Sequence, residues 1–537
     1  MLRCRCRLSG TAIPGRLRHR VSSSSAQSEP ALSVPALRYV LGADEVHCLV
    51  GLNGAGKSRV LAHLAHPDAI AAAQATHSAS ASTRPTRVAT LSFDEHRAFV
   101  ARHGDAVVAD VLGGVAAPAA RDLIVRLGLF PVWDSHVRHL STGELRKLML
   151  AHALLRVPRA TVLLMDQPFD GLDAAARGQL EWMLGQLTRG FTRLLVDTGG
   201  CNDSLAYKTQ VVLAANRLEQ VQPELLSHLV LVHKQPQEQQ GVAPALQVIN
   251  VENMSEDDVQ TKVEAFLAAE AKNQRSPLTE KALMALVKAL YGEVCAGKER
   301  ANEHPALVLN SVSISYDRKR MLMENVNLRR LAHEHWVILG PNGSGKSSLM
   351  RVLTQAQGHG LVEGGVALFG NALQELGPIT VEEISTDQHI KVVQRLLTAD
   401  AQAVTANEVI LEKALSAKTA AIATQLLQVD DQTVLSTPFL ELSQGTQKLV
   451  LVAQAIARCP DILLLDEITH GLDPINREVV LRAINCIGKL NQERQEENSN
   501  APHLIMITHH EDEIPECFQS VFAIQDRKLL LRGDTAA

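Results

Sequence analysis

The chain is poor in aromatic residues, with 10 Phe, 3 Trp and 4 Tyr among 537. That is too few to build the stacked platforms on which single-stranded nucleic acid is read. It also has no long apolar run. The longest stretch free of polar or charged residues is Val111 to Ala120, about half of the roughly 20 residues that a spanning helix needs. No charge of one sign dominates, since 53 Lys+Arg against 58 Asp+Glu leave a formal charge of −5. This balance argues against a polyanion as the main partner. The eight cysteines include no CxxC pair, so they read as reduced thiols rather than as a disulfide framework. Cys4 and Cys6 alone supply two ligands in a basic tail, too few for a metal site. With 46% hydrophobic and 21% charged residues, a disordered or fibrous chain is excluded. The length suits two domains, each large enough to bury a core.

Residues 1–28 lack any acid before Glu29 but carry Arg3, Arg5, Arg7, Arg16, Arg18, Arg20 and the run Ser22 to Ser25. Arg-rich, Ser-rich and acid-free is the composition of an organelle transit peptide. No apolar segment follows the charges, which removes the secretory alternative. The expected destination is the mitochondrial matrix, with plastid or cytoplasm as the alternatives, and 1–30 as the segment concerned.

The rest of the chain repeats itself. Gly51-Leu-Asn-Gly-Ala-Gly-Lys-Ser58 and Gly340-Pro-Asn-Gly-Ser-Gly-Lys-Ser347 both fit GxxxxGK[ST]. Each follows a short apolar run and precedes a helical pattern, the context that a phosphate-binding loop requires. With Gly near 7% of residues, one such match arises by accident about 2% of the time in a chain this long. Two matches with ordered companions exclude chance. The glycines allow backbone N–H groups to turn toward phosphate. Lys57 and Lys346 would meet the β- and γ-phosphates of ATP, and Ser58 and Ser347 would hold Mg²⁺.

The companions recur in order. Leu140-Ser-Thr-Gly-Glu144 answers Leu442-Ser-Gln-Gly-Thr446, and Gly171-Leu-Asp173 answers Gly471-Leu-Asp473. Val162-Leu-Leu-Met-Asp166 answers Ile462-Leu-Leu-Leu-Asp466. Four apolar residues ending in an acid describe a buried strand that aims Asp166 or Asp466 at Mg²⁺.

This order of Walker A, LSxGx signature, Walker B and D-loop resembles the ATP-binding cassette (ABC) ATPase superfamily, twice over. The resemblance covers about 31–220 and 305–537. Leu140 to Glu144, Phe169-Asp-Gly-Leu-Asp173, Glu334-His-Trp336 and His509-His510 further resemble the soluble tandem ATPases of the ModF type. The fold implied is α/β, two tandem P-loop domains, each a mainly parallel core sheet with a helical subdomain. Between them lies 221–304, with 8 Lys/Arg against 12 Asp/Glu, expected as an acidic, partly helical linker. ABC-F translation factors also join two cassettes, but a basic arm reaching ribosomal RNA is expected there.

The resemblance implies head-to-tail packing, each ATP lying between one Walker A and the other signature. Site two then combines Gly340, Pro341, Asn342, Gly343, Ser344, Gly345, Lys346, Ser347, Ser348 and Asp466 with Ser141 and Gly143. Site one combines Gly51, Asn53, Gly54, Ala55, Gly56, Lys57, Ser58 and Asp166 with Ser443 and Gly445. Tyr316 matches the adenine-stacking aromatic, and Gln388 matches the glutamine that reaches Mg²⁺. Glu467 matches the general base and His509 the histidine at the γ-phosphate. In the first half Gln167 stands where Glu467 stands, and aligning Leu194–Thr198 with Leu504–Thr508 puts Gly199 where His509 sits.

The expectation is an ATPase with one hydrolytic site (Lys346, Glu467, His509) and one mainly binding site, working by closure of its halves. A nucleotide-dependent factor docking on a ribosome or other organellar assembly is the alternative. A third is the ATPase subunit of a transporter whose membrane subunit is a separate chain.

Overall fold

The computed structural model describes residues 46–65, 88–113, 124–125, 127–140, 142–156, 162–169, 174–188, 210–216, 225–234, 245–272, 277–293, 305–315, 321–340, 344–354, 361–369, 379–398, 403–493 and 501–532.

The first half is built on β1 (Val46–Val50), β2 (Val88–Leu91), β3 (Val162–Asp166), β4 (Gln210–Ala215), β5 (His228–Val232) and β6 (Leu246–Asn250). They form one sheet of order β2-β3-β4-β1-β5-β6. All neighbours are parallel except the edge pair β5 and β6. Such strands are covered on both faces and read as continuous apolar runs. Alternation in β3 shows it: Leu163 and Met165 enter one core cluster, Val162 and Leu164 the other. The helices that supply the covers are α1 (Lys57–Leu64), α2 (Phe93–His103), α3 (Thr142–Arg156), α4 (Ala174–Thr188) and α5 (Glu256–Lys272).

The second half begins at α6 (Glu280–Lys288) and a π-helical turn, Ala289–Glu293. Then follow β7 (Leu307–Ser315), β8 (Met321–Arg330), β9 (Trp336–Leu339), α7 (Lys346–Leu353), β10 (Leu361–Leu368) and β11 (Val381–Ile384). Next come α8 (Thr386–Thr398), α9 (Ala406–Lys413), α10 (Ala417–Leu426), α11 (Gln444–Ala457), β12 (Ile462–Asp466) and α12 (Pro474–Glu493). The chain closes with β13 (His503–Thr508), β14 (Ser520–Gln525) and β15 (Lys528–Leu531). The sheet order β11-β12-β13-β9-β14-β15 repeats that of the first half strand for strand, antiparallel edge included. A separate antiparallel sheet, β10-β7-β8, covers one face. The described residues of the first half contain no counterpart of that layer.

Two expectations change. The described residues of 225–293 belong to the two halves rather than to a linker. β5 and β6 complete the first sheet, and α5 packs Val259, Val263 and Phe266 into its core. That i, i+4, i+7 spacing is one helix face. On the other side, Leu283, Val287, Leu290 and Tyr291 enter the second core, and the turn that leads into α6 is tied to α12 by Arg482 donating to the Leu278 carbonyl at 2.6 Å. Glu256, Asp257, Asp258 and Glu264 of α5 and Glu280 of α6 are exposed, whereas Glu270 turns in to His233 and accepts from the Lys234 N–H.

The second correction is a register. β4 pairs with both β1 and β3, Ala215 opposite Val50 and Ala214 opposite Asp166. In the second half Thr508 lies opposite Leu339 and Ile507 opposite Asp466. Since Val50 and Leu339 each precede their glycine-rich loop, Ala215 matches Thr508 and Asn216 matches His509. The position assigned to Gly199 therefore belongs to Asn216, and Gly199 lies outside the described residues.

Candidate functional site

The C-terminal ends of β1, β3 and β4, and of β9, β12 and β13, bring the motif residues together at one edge of each sheet. That is where parallel α/β sheets form their ligand crevices. Gly56 and Gly345 are the N-caps of α1 and α7, at φ 100° and 101°, with no side-chain cap. Only glycine takes that backbone angle without strain. With no side-chain cap, the start of each helix can turn its first N–H groups to an anion, reinforced by the helix dipole. Lys57 and Lys346 are buried, and each folds over its own loop. Lys57 Nζ donates to the Gly51 and Leu52 carbonyls at 2.6 and 3.1 Å, and Lys346 Nζ to the Gly340 carbonyl at 2.7 Å.

Ser58 Oγ donates to Asp166 Oδ2 at 2.6 Å, and Ser347 Oγ to Asp466 Oδ2 at 3.2 Å. A hydroxyl beside a carboxylate is an all-oxygen donor pair of the kind Mg²⁺ takes. Ser344 Oγ is buried without a hydrogen-bond partner, a polar atom in the second loop that fits a phosphate ligand. Gln388 is half-buried on α8, its N–H bonded to Ser385 Oγ at 3.2 Å, and Ser348 lies in the first turn of α7. Tyr316, Pro341, Asn342, Gly343 and Ser141 lie outside the described residues. Gly143 is placed in α3.

Past the strand-end acids the halves part. Gln167 and Glu467 both take the left-handed region, φ 51° and 50°. Their N–H groups bond the equivalent carbonyls, Ala214 at 2.9 Å and Ile507 at 3.0 Å. Arg146 holds the Gln167 carbonyl at 2.9 Å as Lys448 holds that of Glu467 at 2.8 Å. The backbones match and the side chains do not. Both oxygens of Glu467 face an imidazole: His470 Nδ1 lies 2.8 Å from Oε2, and His509 Nε2 lies 2.5 Å from Oε1, off the angle of a hydrogen bond. Burial pushes its carboxyl up, but His470 and His509 outweigh that and hold it well below the usual range. Burial, reinforced by the Glu467 charge, raises Asp466 to about 7. The role of His470 was not read from the sequence; its only signal is a titratable ring three residues past Glu467.

The halves meet at the first site. Asn53, in the first glycine-rich loop, donates its N–H to Asp473 Oδ2 at 2.7 Å and its Nδ2 to the Gly471 carbonyl at 3.1 Å. A Cβ on Gly445 would stand 1.8 Å from Asn53 Nδ2, so only glycine fits there. Ser443, the N-cap of α11, accepts from the Thr446 N–H at 3.2 Å. Signature and loop of opposite halves thus come together within one chain.

Comparison with known proteins agrees with this architecture. The family described as "ABC transporter" matches residues 36–170 and 323–470, more than half of the chain. The chain is similar to the ABC transporter ATP-binding protein ModF of Escherichia coli, 27% identical over 90% of this chain and 92% of that protein. It is also similar to an uncharacterized ABC transporter ATP-binding protein of Schizosaccharomyces pombe, 22% identical over 74% of this chain and 71% of that one. Among solved structures, one described as a model of ribosome-bound archaeal Pelota and ABCE1 shares the fold. Its TM-score is 0.53 at 18% identity, covering 91% of this chain and 74% of that one.

Proposed function

The chain belongs to the ABC transporter family, and from that premise we propose that it is a tandem ATPase with one hydrolytic and one mainly binding nucleotide site. The carrying observation is the contrast between Glu467, held by two histidines, and the two amides Gln167 and Asn216 at the matching places. A carboxylate can accept the proton of an attacking water, and an amide cannot. In the second site Lys346 holds phosphate oxygens, Glu467 takes the proton, and His509 steadies the charge that develops on the γ-phosphate. In the first site Lys57, Ser58 and Asp166 retain everything that binding needs. Mg²⁺, when bound by Ser58 and Asp166 or by Ser347, Asp466 and Gln388, neutralises charge on the β- and γ-phosphate oxygens. Closure of the halves on ATP, and reopening after hydrolysis, is the mechanical output.

Steady-state ATPase of Glu467→Gln beside Gln167→Ala tests the asymmetry. The first should lose about 10²- to 10⁴-fold in kcat, the typical contribution of a general base, and the second should stay close to wild type. Equal losses would sink the proposal. No described helix is long and apolar enough to cross a membrane; the transporter alternative is the role of an ATPase subunit whose membrane subunit is a separate chain. Proteins crosslinked to the ATP-trapped Glu467→Gln form separate that role from docking on an organellar assembly. The Arg- and Ser-rich segment 1–30 supports a mitochondrial matrix location. Fractionation of cells carrying a C-terminally tagged chain checks it, and a purely cytosolic signal overturns it.

A further inference from the structure

The segment that follows Asp466 is held from both halves, and the two grips meet within one short turn. From its own half, Lys448 Nζ donates to the carbonyls of Glu467 and His470, each at 2.8 Å. From the other half, Asn53 Nδ2 and Asn216 Nδ2 both donate to the Gly471 carbonyl, at 3.1 and 3.0 Å. Asn216 is 1% exposed, and its Oδ1 has no hydrogen-bond partner. Its orientation is nonetheless forced, because a reversed amide would set oxygen against oxygen. One residue before Gly471, His470 reaches Glu467 Oε2, while His509 takes Oε1.

The same register position therefore works in opposite directions. His509 turns inward to the carboxylate of its own half, whereas Asn216 reaches across to a carbonyl of the other half. A general base must keep its lone pair on the path of the water, and displacement of about 1 Å costs as much as ~10²-fold in rate. One contact leaves a carboxylate free to swing, and contacts on separate oxygens fix its plane. The second contact belongs to a histidine whose own peptide ends on Gly471.

We propose that His470 is a positioning residue for Glu467, and that Asn53 and Asn216 set its place through the Gly471 carbonyl. Asn53 lies in the first half's glycine-rich loop, so the general base of one half is seated from the other half. The inference rests on reading Glu467 as the general base.

Three variants of the full chain test it. Asn216→Asp keeps the size but presents an acceptor to the carbonyl; His470→Leu removes the contact; His470→Gln restores a donor. ATPase gives kcat and KM. Hydrogen–deuterium exchange of 467–473 with ATP is read in the Glu467→Gln background, without turnover. Asn216→Asp and His470→Leu should lower kcat about 10- to 100-fold with KM nearly unchanged, the pattern of a lost transition-state interaction. Both should speed exchange, the double variant should be far less than additive, and His470→Gln should recover most of the rate. Unchanged kcat in His470→Leu, a Gln variant as impaired as Leu, or unchanged exchange in Asn216→Asp overturns the proposal. Hydrolysis that survives Glu467→Gln in an otherwise unchanged chain overturns the reading of Glu467 instead, and the exchange arm still decides whether Asn216 seats the segment.

Discussion

The two halves carry the same six-stranded sheet in the same order, with the same left-handed residue after the strand-end acid and the same type of carbonyl anchor from the signature helix, Arg146 or Lys448. They differ in what stands at the ends of those equivalent strands. In one half a carboxylate is clasped by two imidazoles. In the other, two amides occupy the same places, and one of them has become a contact to the opposite half. On the proposed reading, chemistry is removed from one P-loop site without disturbing the frame around it, because frame and chemistry reside in different atoms.

The strongest way to break this comparison is to rebuild one half in the image of the other. In a Glu467→Gln background, Gln167→Glu with Asn216→His should regain turnover, while Gln167→Glu alone should not. The gain expected of a restored base is about 10²-fold or more over the parent, measured as steady-state phosphate release. Turnover from the single change would show that the switch position does not matter.

Next in size is the contact between halves. Gly445→Ala sets a methyl 1.8 Å from Asn53 Nδ2, so the seat must open. Affinity for a fluorescent ATP analogue at the first site should fall about 10-fold, equal to ~1.4 kcal/mol. Gly365→Ala, where a Cβ meets nothing within 4 Å, is the control and should bind as wild type.

A third measurement separates the halves by acid. His335 accepts the Leu504 N–H on Nδ1 at 3.0 Å, and His503 Nε2 accepts from Trp336 Nε1 at 3.2 Å. Burial above all lowers His335 from 6.5 to about 3 and His503 from 6.5 to about 4. Both rings are therefore neutral when folded, and the unfolded chain takes up protons first. Their stabilisation is whole above pH 6.5 and is lost as pH falls toward 3–4, at up to about 1.4 kcal/mol per pH unit for each ring. Thermal melts between pH 7 and 5 should show the second half losing stability, and His503→Gln should flatten the slope.

The smallest effect is a cap. Thr405 and Glu408 form a reciprocal capping box at the start of α9, so Thr405→Ala should cost about 1 kcal/mol. A calorimetric midpoint should fall by a few degrees, with ATP binding at the first site untouched.

What could be read from residues alone was what is contiguous. Each glycine-rich loop, each strand-end acid and the Glu467/Gln167 exchange sit in short unbroken motifs whose chemistry is local. The Asn216 position was hidden because Leu194–Val196 and Val211–Leu213 are equally apolar. Only pairing with β1 and β3, a long-range fact, decides between them. The boundary at 220 failed because net charge outweighed a helical stripe that Val259, Val263 and Phe266 already spelled out. Asn53 and His470 carry roles that depend on a neighbour hundreds of residues away or on a backbone turn at φ 50°, and no linear pattern encodes either.

With α5 ending at Lys272 and α6 starting at Glu280, seven positions of sequence separate the helices that close the two cores, and Leu278 among them is already bonded to Arg482 of the second half. Seven residues span at most ~25 Å at full extension. On the proposed reading, in which the halves close on ATP, that covalent limit bounds how far they can part and gives each loop a high effective concentration for its signature. Reclosure would then be a search within one molecule, whose rate does not depend on how many copies of the protein are present.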